Sequence, residues 1–414
     1  MKILIISSFY PPYEVGGWEQ NSQELARLFE QHGHEVLVLT SNHGVTAAMP
    51  MQADVQRTLT LESNLTYYRP FDFLTRWRRN VECNQALVRQ AVEGWGPDII
   101  FVHSMWNLTS AIPLVAEQLR PSRVVYEMFG NWPHAPSVHE QYWSSHAARG
   151  YRDLPKRMVG LIAHRMLKTA PSPRQLQFQH VLAVSEAIRQ ELITQAHIPA
   201  DNIQVIYNGI DPAPFLAHSR LARPISNEQP LKVFYGGGLF EHKGVHTLIA
   251  AFAELLRRYP ERELSLTILG SGHPGYTERL HHLVVKEGIG ARVTFQPKVP
   301  REEMARILGE QDIFVLPSIY EPLARMLQEG MAAGLAVIGT EAWGTREALV
   351  DGVNGLAFPP EDVAKLAAQL DRFVSDAGLR RQMGAAAQQT VLAKFTLERM
   401  YTETEAYLRK VTED

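Results

Sequence analysis

The chain opens on KILIISSFY, an apolar run stopped by Pro11-Pro12, and passes through the loop PPYEVGGWEQ. An amphipathic stretch from Asn21 to Gln31 and a second apolar run, EVLVLT, follow. Short apolar runs bounded by turn residues predict strands buried on both faces, and helical periodicity between two of them predicts a βαβ unit. Further runs, DIIFVHS near 98–104, RVVYEMF near 123–129 and HVLAVS near 180–185, alternate with helical patterns. That alternation predicts an α/β fold with a mostly parallel, doubly wound sheet.

The pattern then breaks. IQVIYNGID ends at Asp211, Pro212 and Pro214 follow, and the stretch HSRLARPISNEQP has little periodicity. A second series starts at LKVFYGGG and continues through LSLTILG (264–270), RVTFQP (292–297), DIFVLPS (312–318) and LAVIGT (335–340), with helical stretches between. Two tandem Rossmann-like domains are expected, 1–212 and 213–395, with the amphipathic segment around 396–414 packing back on the first. The length of 414 residues fits, because one hydrophobic core rarely grows beyond ~250–300 residues. Ligands of doubly wound sheets bind beyond the carboxyl ends of the strands. Two such sheets put the expected site in the cleft between them.

Composition narrows the class. A hydrophobic fraction of 45% and a charged fraction of 21% are those of an ordinary folded enzyme. The net charge of −3 supplies no global field for nucleic acid, and no reading module is present, so no nucleic-acid partner is expected. The single cysteine, Cys83, excludes an internal disulfide framework and fits a reducing compartment. Lys2 and the run Ile3 to Ile6 start like a signal peptide but stop too soon, and no run of ~18 apolar residues follows. A cytoplasmic protein is expected.

Three segments carry candidate chemistry. Gly16 and Gly17 lie between the first strand and first helix, where backbone can approach an anion at a helix N-terminus; a plain turn has the same signature. The spacing is not G-x-G-x-x-G, which argues against a dinucleotide oxidoreductase. Gly236, Gly237 and Gly238 repeat the arrangement in the second half, with Lys243 where a helix begins. A lysine beside exposed amides suits a pyrophosphate, although a solvated surface lysine would look alike. The third segment is EPLARMLQE, Glu321 to Glu329, directly after the strand ending Leu316-Pro317-Ser318. With Pro322 opening the helix, eight residues at ~100° bring Glu329 within ~80° of Glu321, so both carboxylates would face one ligand. Carboxylates on one face are suited to holding the hydroxyls of a ribose or hexose.

Over nearly its whole length, and in the right order, the chain resembles glycosyltransferase family 4, the retaining GT-B enzymes. The resemblance is carried by FYPPYEVGGWEQNSQELARLFEQHGHEVLVLT, by VSEAIRQELI with VIYNGID, by LGSG, by DIFVLPSIYEPLARMLQEGMAAGLAVIGT and by GTREALVDGVNGLAFPPED. It implies a GT-B fold and hexose transfer from a nucleotide-diphosphate sugar, a UDP-sugar being the donor class common in the family. The acceptor would be a glycan, a glycolipid or a small molecule. It further implies that Glu329 holds the nucleotide ribose, Glu321 faces donor-sugar hydroxyls and Lys243 meets the pyrophosphate. Gly16 and Gly17 would bring backbone against the phosphates, and Leu323, Ala324 and Arg325 would offer backbone near the donor. No metal is implied, and the chain has no Asp-x-Asp motif.

Three positions depart from the family pattern. Gly238 stands where an arginine is usual, which removes a phosphate cation and leaves Arg325 as a replacement candidate. Phe129 stands where many members place a histidine near the donor sugar, making His103 and His134 candidate substitutes. Pro297 replaces a common glycine beside the base and removes a backbone donor. These losses motivate a rival expectation, a degenerate non-catalytic subunit of a glycan-assembly complex. The run 155–168, PKRMVGLIAHRMLK, alternates cations and apolar residues at helical spacing and is a candidate for peripheral contact with the inner face of a membrane. Aromatics at 67–77 and 132–143 are candidates for acceptor stacking or for loop packing.

Overall fold

A computed structural model describes the chain apart from residues 14–15, 47–51, 66, 131, 146–153 and 414 and the side chains of 145 and 154–157. It forms two α/β units. The first comprises Met1–Val184, Ile188–Ile206 and Tyr401–Asp414, and the second Tyr207–Met400 with Ser185–Ala187.

Among the described residues the first unit is built on seven strands: β1 (Lys2–Ser7), β2 (Glu35–Ser41), β3 (Val55–Leu59), β4 (Ile99–Ser104), β5 (Val124–Met128), β6 (His180–Ala183) and β7 (Ile203–Val205). All pairings are parallel, in the order β3-β2-β1-β4-β5-β6-β7. The second carries β8 (Leu231–Gly236), β9 (Leu264–Leu269), β10 (Val293–Gln296), β11 (Ile313–Leu316), β12 (Ala336–Thr340) and β13 (Leu356–Phe358). Again all pairings are parallel, ordered β10-β9-β8-β11-β12-β13. These are the two doubly wound Rossmann-like sheets the apolar runs predict. Strand order reverses between β1 and β4 and between β8 and β11. Both glycine loops therefore leave the strand at a switch point, where such sheets bind ligands.

The central strands are apolar on both faces because helices cover both: Ile3 to Ile6, Ile99 to Phe101 and Ile313 to Val315 have no exposed surface. The C-terminal helix Leu397–Glu413 runs from the second unit into the first. There Tyr401 stacks on His32 at 4.4 Å, Glu405 lies 2.9 Å from His34 Nε2, and Leu408 and Val411 are buried. The aromatics at 67–77 and 132–143 are partly core. Phe73 and Trp77, on the helix Pro70–Trp95, pack with Trp143 and Ala163, while Tyr68 stacks on Tyr142. Trp132 joins Tyr126 and Phe178. Tyr67 and Phe71 remain exposed.

Candidate active site

In the second unit, the loop after β8 passes through Gly236, Gly237 and Gly238 into a short turn, Glu241–Lys243, and the helix Val245–Arg258. Glycine is required here by contact between backbones. A Cβ on Gly270, whose φ is +147°, would stand 1.9 Å from the Gly237 carbonyl oxygen, and one on Gly244, at φ +63°, 2.0 Å from that of Pro317. The loops following β8, β9 and β11 thus touch main chain to main chain. The Ile319 amide donates to the His242 carbonyl at 2.8 Å, tying the turn to the loop after β11.

Lys243 and Glu321 meet at this junction. Lys243 Nζ lies 2.6 Å from Glu321 Oε2, with the side chains 22% and 13% exposed, and Ser318 Oγ donates to the same oxygen at 3.3 Å. A half-buried lysine paired with a carboxylate is not a freely solvated surface lysine.

The segment from Glu321 corrects one expectation. The helix begins at Arg325, not at Pro322, and runs to Ala332, with Ala324 extended at φ −73°, ψ 116°. Glu321 therefore lies in a turn outside the helix, and the two glutamates do not share a helical face. The turn is braced instead: the Gly344 amide donates to the Glu321 carbonyl at 3.0 Å. A Cβ on Gly344 would stand 1.6 Å from the Pro322 carbonyl oxygen. Gly344, Gly270 and Ser318 are contributors that reading by motif alone passed over, because their roles depend on chain segments far apart in sequence.

Glu329 is 5% exposed; its Oε1 accepts from Arg325 Nε at 3.2 Å, with Arg301 Nη2 at 3.8 Å. Arg325, the candidate replacement for an arginine at 238, is a buried partner of Glu329, paired with a carboxylate as Lys243 is with Glu321. Leu323 and Ala324 are buried, and the Ala324 carbonyl accepts from Leu327 and Gln328 as the helix starts. No side chain caps that helix start. Gln328, fully buried, donates through Nε2 to the Asn208 carbonyl at 2.8 Å and fixes the helix's rotation. Beside the glycine loop, a depression of about 690 Å³ lies at the carboxyl ends of β9 and β10. Leu239, Gly270, Ser271, His281 and Pro297 are among its walls.

The first-unit candidates are placed differently. Gly17 precedes the helix Trp18–Gln31, and the Gly16 amide donates to Glu19 Oε2 at 3.0 Å, so a carboxylate of the chain itself already holds that donor. A Cβ on Gly16 would stand 2.9 Å from the Trp18 ring. Glu14 and Val15 lie outside the described residues. His103 has no exposed surface: Nδ1 contacts the Glu127 carboxylate, Nε2 lies 2.7 Å from the Trp18 carbonyl, and the ring meets Phe129 edge-on at 4.8 Å. It joins β4, β5 and the first helix as a packing group, which corrects its candidacy as a ligand-contacting histidine. His134 Nε2 lies 3.1 Å from Glu191 Oε1, again an internal pairing.

Two family models divide the chain between them, Glycosyltransferase Family 4 over residues 15–214 and Glycosyl transferases group 1 over 221–390. The glycogen synthase of Mycobacterium tuberculosis is 27% identical over 98% of this chain and 93% of its own length. An uncharacterized glycosyltransferase of Methanocaldococcus jannaschii is also 27% identical, over 98% of this chain and 97% of its own. Among solved structures, a glycosyltransferase from Rickettsia africae superposes with a TM-score of 0.72 at 20% identity, covering 100% of this chain and 99% of that one. Anabaena HepE, solved in complex with UDP-glucose, gives 0.68 at 20% identity, covering 99% and 100%. With two Rossmann-like sheets of matching order and full-length relatives, the chain belongs to glycosyltransferase family 4.

Proposed function

We propose that the protein transfers a hexose from a UDP-sugar to a hydroxyl of a glycan or glycolipid acceptor, with retention of anomeric configuration and without a metal. The observation that carries the reading is the Lys243–Glu321 pair at the contact of three strand-end loops, with the buried Glu329 carboxylate on the helix that follows. Lys243 would place its charge against the pyrophosphate as the bond from anomeric carbon to phosphate oxygen breaks, stabilising the leaving UDP. Glu321, already aimed at this spot, would accept hydroxyl hydrogens of the hexose, and Glu329 those of the ribose. The acceptor oxygen forms its bond on the face the leaving group vacates, and its proton passes to the departing phosphate oxygen. A UDP-glucose complex of HepE, which shares the fold, supports the choice of donor to test first.

Calorimetric titration with UDP, GDP, ADP and their hexose conjugates in metal-free buffer tests this reading. UDP and a UDP-hexose should bind, and Lys243→Ala and Glu329→Ala should each weaken binding by roughly 1–3 kcal/mol through loss of charge-assisted bonds. Wild-type affinity in both variants would remove these residues from the site. Proton NMR of the product's anomeric signal tests retention, and inversion would overturn the front-face course.

The helix Leu154–Lys168 favours peripheral membrane contact as part of this reading. The side chains of 154–157, which include Lys156 and Arg157, lie outside the described residues. Met158, Leu161 and Ile162 are 68%, 72% and 59% exposed, on the same face as exposed Arg165 and Lys168. Ala163 is buried on the opposite face, and Val159, Met166 and Leu167 pack beside it. Apolar anchors with cations beside them suit an anionic bilayer, where a lipid-linked acceptor would be found. Among the described residues no helix is long and apolar enough to cross a membrane.

A further inference from the structure

The diphosphate site assigned above is short of positive charge. Lys243, Arg325 and Arg301 lie against the two carboxylates Glu321 and Glu329, leaving one net positive charge. A pyrophosphate diester brings two negative charges. At Gly238, on the glycine loop, the vacant side-chain position is taken by a ring: a Cβ there would stand 2.9 Å from Phe240 Cδ2 and Cε2. His242 lies nearly parallel to that same ring, with centroids 5.9 Å apart and planes 12° from coplanar. Its carbonyl is anchored by the Ile319 amide at 2.8 Å, so the residue is fixed to the loop that leads to Glu321.

We propose that His242 is a further donor-binding residue of this site, meeting the pyrophosphate as an imidazolium and making donor affinity depend on pH. The proposal rests on the second unit being a nucleotide-sugar site.

Burial, and after it the charge of Lys243, holds the imidazole below its ordinary pKa in the free protein, with Glu321 acting against both. The other charged group on the same turn, Glu241, is engaged by Arg279 at 2.7 and 3.2 Å. A bound pyrophosphate would raise the imidazole's pKa, since an anion beside it favours the charged form. Affinity then gains as pH falls through the pKa of the complex and levels off below that of the free protein. A rise of about one unit gives about tenfold tighter binding at the low-pH limit.

Calorimetry with UDP-glucose between pH 6 and 8 reads this out, because the pyrophosphate diester does not itself titrate there. Paired buffers of different ionisation enthalpy count protons taken up. Wild type should bind several-fold to tenfold tighter at the acid end with net proton uptake. His242→Gln should hold the weaker, alkaline-limit affinity across the range without uptake, and His242→Lys should bind tightly at both ends. Matching thermal melts show that the variants are folded. Flat affinity without proton uptake in wild type overturns the role of His242 while leaving the donor site intact, and so does a pH dependence that persists in His242→Gln. Absence of UDP-glucose binding at every pH overturns the donor reading and this inference with it.

Discussion

Gly344→Ala tests whether the Glu321 turn is as tightly built as its contacts imply. The backbone there, φ −66° and ψ −15°, suits alanine as well as glycine, and a helical turn follows, so propensity alone favours the substitution. Space forbids it. The added carbon would stand 1.6 Å from the Pro322 carbonyl oxygen, 2.6 Å from its carbon and 3.2 Å from the Leu323 Cα. Restoring ordinary contact near 3.5 Å requires roughly 2 Å of movement of main chain. That shift separates the Gly344 amide from the Glu321 carbonyl and swings the Glu321 carboxylate away from Lys243. A displacement of about 1 Å at a reacting centre costs about a hundredfold, so Gly344→Ala should lower turnover of a UDP-hexose by at least that factor. The overpacking should also lower unfolding stability by about 1–3 kcal/mol. Gly290→Ala is the control, because nothing lies within 4 Å of its Cβ position. A turnover assay with UDP-hexoses, calorimetry with UDP-glucose and a urea melt on both variants read this out. Wild-type affinity and turnover in Gly344→Ala would refute the claim that this contact positions the site.

Two further outcomes follow from the first unit. Replacing Leu161 and Ile162 together by glutamate should abolish co-sedimentation with phosphatidylglycerol vesicles while leaving UDP binding unchanged; wild-type protein that sediments equally with neutral and anionic vesicles would count against the charged-bilayer reading. Burial pushes the Glu62 carboxyl up to about 7 and the His139 imidazole down to about 4. Glu62 therefore loses stabilisation as pH rises from the ordinary carboxyl range through 7, and His139 loses it as pH falls from the ordinary imidazole value toward 4. Glu62→Gln should raise stability at pH 8 by up to about 3 kcal/mol and do little at pH 4, measured by urea melts; equal effects at both pH values would sink the assignment.

Strands flanked by helices on both faces were legible because both faces are apolar, and ten of the thirteen strands among the described residues fall on runs that the hydrophobic pattern marks as strands. The three unmarked strands are edges. β3, VQRTL, alternates half-exposed and exposed positions before Leu59, and β7 and β13 are only three residues long. None carries a continuous apolar run of ordinary strand length. At the site, Lys243 and Glu321 were legible as residues but not as a pair, since their contact spans 78 positions. Pro322 misled the placement of the helix start: proline is as compatible with the extended turn preceding a helix as with its first turn. Histidines were the least legible. Nothing in the segment around His103 announces that the Glu127 carboxylate and the Trp18 carbonyl enclose its ring.

The last helix has a consequence for how the protein is made. Tyr401, Glu405, Leu408 and Val411 complete the first unit, the Arg123 guanidinium reaches the Val411 carbonyl, and Thr412 lies beside Met1. The unit that leaves the ribosome first is therefore finished after the second: the surface that Tyr401 covers on Phe29 and His32 stays uncovered until Tyr401–Asp414 has been made. Folding from the N-terminus during synthesis is the usual order for multidomain chains. Here the first sheet can assemble early, but its flank is sealed only once Tyr401–Asp414 has been made, and a ribosome stalled anywhere in the second unit holds a first unit with its apolar flank open.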